Sequence, residues 1–159
     1  MFKKKEFSKI YLAGFFLLLI IISIFAAIIF EKTSKDEYNK IIKLNIDTKV
    51  AINLSWKFST SKKFMDVKIG QVYKIDFNVE NYGSKKLSGK AIYDVKPKLL
   101  KKYFVEIDCF CYKKQTLLPG EKSTYSITFY FDPEMLSDLR VNNIQNISIS
   151  YTFLDNENS

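Results

Sequence analysis

Two hydrophobic patterns divide the chain. Residues 10–30 form a run of 21 residues without a charged side chain, rich in Ile, Leu and Phe. As a helix rising 1.5 Å per residue, this run would be about 30 Å long, which matches the hydrocarbon core of a membrane. Beyond residue 45, apolar and polar residues alternate with a period of two, which is typical of half-buried antiparallel strands. The pattern predicts one transmembrane helix followed by a β domain.

The apolar run is expected to remain in place as an anchor. The apolar region of a cleaved signal peptide spans about 7–15 residues and ends at a small-residue site. Here the run is longer, and Ala26 and Ala27 are followed by bulky residues at 28–30. Four lysines precede the run, so the positive-inside rule leaves the N-terminus in the cytoplasm and exports the remainder. Such a short head cannot hold a mitochondrial transit sequence, so we expect a single-pass protein of the bacterial inner membrane with a periplasmic domain.

These expectations give the chain four segments. A cytoplasmic head, a transmembrane anchor, a stalk and an exported domain are predicted at residues 1–9, 10–30, 31–45 and 46–159. The stalk is polar, with Tyr38, Ile41 and Ile42 at helical spacing. This spacing predicts that the anchor helix continues for some distance beyond the membrane.

The alternating runs predict about seven strands joined by turns that contain Pro or Gly. Four long runs begin at residues 50, 73, 125 and 147, and shorter ones lie at 67–69, 87–95 and 105–112. Two segments, at 98–104 and 133–141, are expected to be irregular or briefly helical. Seven short strands in about 110 residues favour an all-β sandwich of two sheets of the immunoglobulin-like type.

The composition excludes several classes of function. Histidine is absent, which rules out a Ser-His-Asp triad, a His-based zinc site and most acid–base chemistry that relies on imidazole. The formal net charge is +8, but the lysines are scattered and Arg140 is the only arginine. A nucleic-acid surface usually concentrates Arg and Lys on one face. We therefore expect no nucleic-acid partner and no enzyme activity.

The one constellation with chemical potential is Cys109-Phe110-Cys111, which contains both cysteines of the chain. On an extended strand the two sulfurs would leave the backbone on the same face. Their Cα atoms would be roughly 6.5–7 Å apart, at or beyond the limit for a relaxed disulfide, so a bridge would need a bend. Two soft thiolates suit Cu(I), whereas zinc would need two further ligands that this chain cannot supply as His.

A simpler interpretation of the cysteines stays open. Val105, Ile107, Cys109 and Cys111 share one parity along the predicted strand. Both cysteines could therefore be small buried hydrophobic residues of a core strand.

The sequence around the cysteines closely resembles a known family. Residues 103–121 read Tyr-Phe-Val-Glu-Ile-Asp-Cys-Phe-Cys-Tyr-Lys-Lys-Gln-Thr-Leu-Leu-Pro-Gly-Glu. This stretch is similar to the Cys-Phe-Cys-Phe core, the following Gln and the Pro-Gly-Glu of the CtaG family of cytochrome c oxidase assembly proteins. Further matches are Leu-Ser-Trp-Lys-Phe at 54–58, Tyr-Asp-Val-Lys-Pro at 93–97, Phe-Asp-Pro at 131–133 and Tyr-Thr-Phe at 151–153. With the N-terminal span, the resemblance covers essentially the whole chain.

The resemblance implies a membrane-tethered copper chaperone with an immunoglobulin-like domain. Such a protein would receive Cu(I) from a copper-donor protein and deliver it to the copper-B centre of the catalytic subunit of cytochrome c oxidase. The resemblance also implies that Cys109 and Cys111 are the copper ligands and that copper-loaded chains form a homodimer. Two positions depart from the family pattern: Tyr112 replaces the usual Phe, and Ile42 stands where a third cysteine usually follows the anchor.

Two other functions are kept as alternatives. The same cysteine pair could make the protein a membrane-anchored thiol–disulfide reductant. The domain could also be a structural or adhesion sandwich in which the two cysteines are inert. Trp56, Met65 and Met135 are interpreted as core residues and not as ligands, because methionine in a β domain usually fills gaps.

Overall fold

The computed structural model describes residues 3–37 and 40–155, and the side chains of residues 14–31 and 40–155. The chain divides into two compact units at the boundary between residues 39 and 40. Tyr38, one of the residues that suggested a helical stalk, lies outside the described residues.

The first unit is a single helix, α1 (Lys3–Glu37). Its segment Gly14–Glu31 has a mean hydropathy of 2.7 and is long and apolar enough to cross a membrane. The large apolar side chains of this segment are exposed within the chain, as a lipid-facing helix requires. The predicted N-terminal apolar helix is therefore confirmed, and its length and composition fit a single-pass anchor.

The second unit is built from nine strands within the described residues. They are β1 (Ile41–Val50), β2 (Trp56–Thr60), β3 (Phe64–Lys68), β4 (Tyr73–Asn81), β5 (Leu87–Lys96), β6 (Phe104–Cys109), β7 (Gln115–Leu117), β8 (Lys122–Phe131) and β9 (Asn146–Asp155). Short 3₁₀ helices lie at Lys98–Tyr103, Phe110–Tyr112 and Pro133–Leu136. The first and last of these fall in the two segments that the sequence predicts to be irregular or briefly helical.

The strands form two sheets that pack as a sandwich. One sheet has the order β3-β1-β9-β5-β7 and the other the order β2-β4-β8-β6. Neighbouring strands are antiparallel except β1 and β9, which run parallel. The all-β sandwich is confirmed, whereas its assignment to the immunoglobulin-like type stays a prediction.

The core lies between the sheets and is filled by one side of each alternating strand. In β4 the residues Ile75, Phe77 and Val79 are buried, and in β9 Tyr151 and Phe153 are completely so. Large apolar side chains at every second position bury area on one face only, which fixes the register of each strand. Trp56 and Met135 are buried in this core and Met65 packs against it, as predicted.

The predicted run that begins at residue 50 is wrong as a single strand. β1 ends at Val50 and β2 begins at Trp56, with a turn between them in which the Leu54 N–H donates to the Ala51 carbonyl at 3.0 Å. Ile52 is fully exposed at the tip of this turn. The alternation of apolar residues continues through the turn, so periodicity alone could not show the break.

The predicted helical stalk is also wrong over residues 41–45, which belong to β1. Ile42 and Leu44 are buried, while Lys43 between them faces outward. These residues pair with β3 on one side and, from Lys43 onward, with β9 on the other. The alternation of exposed and buried side chains therefore starts earlier than predicted, at the first residue of β1. β1 lies inside its sheet, between β3 and β9.

Candidate metal-binding site

The site begins at a β-bulge in β6. Glu106 pairs with Phe129 and Asp108 pairs with Thr128, the adjacent residue of β8, so Ile107 is the extra residue. A bulge shifts the alternation of side chains by one position. Ile107 is consequently 56% exposed, and the strand does not keep the single parity that the sequence suggested for residues 105–111.

The two cysteines lie at the end of β6 and in the turn that follows it. Cys109 is the last residue of the strand, and residues 110–112 form one turn of 3₁₀ helix. The Cys111 N–H donates to Cys109 Sγ at 3.1 Å. The two Cα atoms are 5.1 Å apart and the sulfurs form a disulfide. The predicted extended strand through residue 112 is therefore wrong, and the bend that a bridge would need is present.

Phe110 anchors this turn in the core. Its side chain is only 8% exposed and packs between the two sheets. Ring centroids of five aromatic residues lie 5.5–6.0 Å from its own: Phe58, Phe77, Tyr125, Tyr151 and Phe153. The Gln115 side-chain amide donates to the Phe110 carbonyl at 3.1 Å. Both cysteines are thus held by the residue between them.

Both cysteines are buried, with exposed fractions of 4% for Cys109 and 7% for Cys111. Burial alone agrees with the interpretation of these residues as small core hydrophobes. In addition, a carboxylate oxygen of Glu106 and the two sulfurs all lie within 4.8 Å of one another. This trio of ligand atoms could hold a metal ion once the disulfide is reduced.

Glu106 is held in place by tyrosines. The Tyr151 hydroxyl donates to Glu106 Oε1 at 3.1 Å. The Tyr112 hydroxyl donates to the Glu106 carbonyl at 3.3 Å. Burial raises the pKa of Glu106, and the phenols of Tyr151 and Tyr93 and the charge of Lys101 oppose that shift. Burial and the nearby Glu106 carboxylate raise the pKa of Tyr93 to about 12.

The sequence predicted that the sulfurs of Cys109 and Cys111 lie side by side, but it did not indicate Glu106 as a third potential ligand. On a regular strand, Glu106 and Cys109 would point to opposite faces because they are three residues apart. The extra residue Ile107 brings them to the same side. The bulge has no signature in the local sequence that could have indicated this.

Comparison with known proteins agrees with the geometry. The family model of the cytochrome c oxidase assembly protein CtaG/Cox11 matches residues 25–155, which include the whole cysteine turn. The chain belongs to the CtaG/Cox11 family. Its Pro119-Gly120-Glu121 segment, one of the family matches, is a turn in which Glu121 Oε2 accepts the Leu118 N–H at 2.6 Å.

Several CtaG and COX11 proteins are similar to this chain in sequence. The cytochrome c oxidase assembly protein CtaG of Bradyrhizobium diazoefficiens is 38% identical over 70% of this chain and 52% of its own length. The CtaG protein of Sinorhizobium fredii is 32% identical over 81% of this chain and 65% of its own length. The mitochondrial assembly protein COX11 of Arabidopsis thaliana is 36% identical over 77% of this chain and 42% of its own length. The chain thus spans about half the length of the first of these relatives.

Proposed function

We propose that this CtaG/Cox11 protein is a copper carrier in cytochrome c oxidase assembly. It would bind Cu(I) through Cys109 and Cys111 and deliver it to the copper-B centre of the catalytic subunit. The observation that carries the proposal is the buried turn that holds the two sulfurs of the chain side by side. In this role the pair would bind and release the metal without changing it, so we propose a carrier and not an enzyme.

The donor set favours Cu(I) as the cargo. Thiolates are soft ligands that select Cu(I), and the chain has no imidazole to offer a harder metal. The disulfide has to be reduced first: a dithiol partner supplies two electrons and two protons, and its own disulfide is the product. Binding of Cu(I) then displaces the thiol protons. Besides the dithiol reductant, this cycle requires a copper donor and the oxidase subunit as partners.

We also propose a single-pass topology in the bacterial inner membrane. The apolar segment of α1 would cross the membrane, residues 1–9 would lie in the cytoplasm, and the sandwich would lie in the periplasm. The support is the excess of lysine before the segment and the confinement of the cysteine turn to the second unit. The cysteine pair would then face the periplasm, on the exported side of the membrane.

This topology has a direct test. A reporter fused to the C-terminus should report an exported position, and the fusion should stay in the membrane fraction after a carbonate wash. The reason is the uninterrupted apolar segment, which inserts effectively irreversibly when uncleaved. A fusion recovered as a soluble protein trimmed near Ala27 would contradict the proposal.

The copper proposal is tested by titration of the full chain in detergent. The reduced protein, kept anaerobic, is titrated with Cu(I) in competition with a chromophoric chelator, while its mass is followed by sedimentation. We expect tight binding by the reduced chain and none by the oxidised chain, because a disulfide has no thiolate to offer. The control is the oxidised protein itself, which has the same sequence and the same detergent.

The same titration should show a change from monomer to homodimer. One chain supplies two thiolates, which would leave a single Cu(I) two-coordinate, whereas two chains bring four thiolates to share. A ligand that prefers the dimer shifts the association equilibrium by its differential affinity. A copper-loaded monomer would contradict the shared site and leave the carrier function standing.

The disulfide itself favours a second candidate function, a membrane-anchored thiol–disulfide reductant. A reduced pair could attack a disulfide of a partner, release it as a dithiol and end as the disulfide that the structure contains. Reduction of a protein disulfide at equal rates with and without a Cu(I) chelator, together with weak copper binding, would favour this candidate. Thiols that neither bind Cu(I) nor exchange would favour the inert structural sandwich.

A further inference from the structure

A third potential ligand lies beside the cysteine pair. Cys111 Sγ is 3.8 Å from Glu106 Oε1, and all three ligand atoms fall within 4.8 Å of one another. Zinc binds thiolate sulfur at about 2.3 Å and carboxylate oxygen at about 2.1 Å, so at a tetrahedral angle these two ligands are about 3.6 Å apart. The observed distance between Cys111 Sγ and Glu106 Oε1 is within a few tenths of an ångström of this ligand-to-ligand distance.

The carboxylate is also oriented as metal ligands usually are. Its Oε1 accepts a hydrogen bond from the Tyr151 hydroxyl at 3.1 Å. Such outer partners hold a ligating group in one direction and strengthen the site. Tyr151 belongs to β9 of the five-stranded sheet, whereas Glu106 belongs to β6 of the other sheet. The position of the carboxylate is therefore fixed from across the sandwich.

The bulge at Ile107 serves this arrangement. Without the extra residue, Glu106 would face away from Cys109, and the carboxylate could not reach the sulfurs. Bulges next to functional sites often redirect one side chain. Asp108, two residues further on, is exposed and points away, so the effect is specific to one of the two acidic residues of β6.

We propose that Glu106 is a third ligand at the cysteine pair and makes the reduced site competent for Zn²⁺ as well as for Cu(I). The ligand set would be two thiolates and one carboxylate, with the fourth tetrahedral position open to water or to a group of a partner. Zinc accepts both sulfur and oxygen ligands, whereas Cu(I) is satisfied by the two sulfurs alone. This inference rests on the proposed function only in using the same reduced thiol pair.

The test compares the two metals on the full-length chain in detergent, reduced, anaerobic and freed of reductant. Zn²⁺ alone is titrated against a chromophoric zinc indicator, and Cu(I) is titrated separately against its own chelator. The variants are Glu106→Gln, which keeps the size of the side chain, and Cys109→Ser. The matched control is Asp108→Asn, which removes the same charge from the same strand at an exposed position.

We expect Glu106→Gln to weaken Zn²⁺ binding by about 10- to 100-fold or more. Loss of a residue that only hydrogen-bonds to a metal ligand typically has an effect of this size, and Glu106 would be a ligand itself. Cu(I) affinity should change by less than about threefold, because the soft sulfurs remain. The fluorescence of Trp56, the single tryptophan, which lies in the core, reports whether the variant has folded. Asp108→Asn should leave both affinities unchanged, and Cys109→Ser should lose both metals.

Three results would overturn the inference. They are the absence of Zn²⁺ binding by the reduced chain, an unchanged Zn²⁺ affinity in Glu106→Gln, and an equal loss of both metals in that variant. Binding of Zn²⁺ that depends on Glu106 in a chain that does not bind Cu(I) would support the third ligand and reject the copper proposal. The two proposals can therefore fail independently.

Discussion

Replacing either Cys109 or Cys111 with serine is expected to abolish Cu(I) binding and leave the sandwich folded. Serine has nearly the volume of cysteine, but its hydroxyl is a hard donor that stays protonated and cannot replace a thiolate. Each chain then keeps a single sulfur and cannot hold Cu(I) by itself, and two chains bring two thiolates instead of four, so loss of either residue should abolish tight binding. Competition with a chromophoric Cu(I) chelator on the reduced full chain measures the effect.

The alanine variants at the same positions provide the control. Both cysteines are buried, so a serine hydroxyl without a partner costs about 1–3 kcal/mol of stability. Cys109→Ala and Cys111→Ala remove the ligand without burying a hydroxyl. We expect all four variants to remain folded under reducing conditions, as judged by the fluorescence of Trp56, the single tryptophan, which lies in the core. Retained copper binding in any of them would reject the two-thiolate site.

The strands could be predicted from the sequence where one face is clearly apolar and the other clearly polar. In β4, β8 and β9, which are nine or ten residues long, large apolar residues alternate with polar ones over most of the strand. One face of each strand is buried and the other is more exposed, so the pattern and the structure agree. The apolar segment of α1 is equally clear, because a run of this length without charges is typical of a membrane-spanning helix.

Prediction failed where the alternation of apolar and polar residues does not stop at the end of a strand. Ile52 and Leu54 continue the alternation of β1 and β2, yet a turn separates the strands and exposes Ile52. At the start of the domain, Ile42 fits both the helical spacing with Tyr38 and the strand alternation with Leu44. Pairing with β3 and β9 decides between them, and such contacts over more than 20 residues are not encoded in a short window.

At the candidate site, too, one part could be predicted from neighbouring residues and the other could not. The Cys-Phe-Cys spacing identified the two sulfurs, because it depends only on residues that are neighbours in sequence. The part that the carboxylate plays depends on the bulge at Ile107, and the bulge depends on pairing with β8. A hydrogen bond from Tyr151 of the opposite sheet then holds Glu106. Each of these steps needs the packed domain, so the third ligand could be found only in the structure.

The residue between the cysteines should matter more for stability than either cysteine. We expect Phe110→Ala to lower the free energy of unfolding by about 3–5 kcal/mol, the usual cost of truncating a buried phenylalanine. The ring contacts five others from both sheets, so its loss leaves a cavity that neither sheet can close alone. Urea unfolding of the reduced full chain, followed by Trp56 fluorescence, measures the change.

Ile107→Ala is the matched control for this experiment. It also truncates a large apolar side chain, three positions earlier in the same segment, but Ile107 is more than half exposed. Its expected effect is below about 0.5 kcal/mol, as for most surface substitutions. Phe110→Ala should also weaken Cu(I) binding, because the turn that holds the sulfurs together loses its anchor. A Phe110→Ala protein as stable as Ile107→Ala and with unchanged copper affinity would mean that hydrogen bonding of the turn, including the bond from Gln115, is sufficient to hold the cysteine pair.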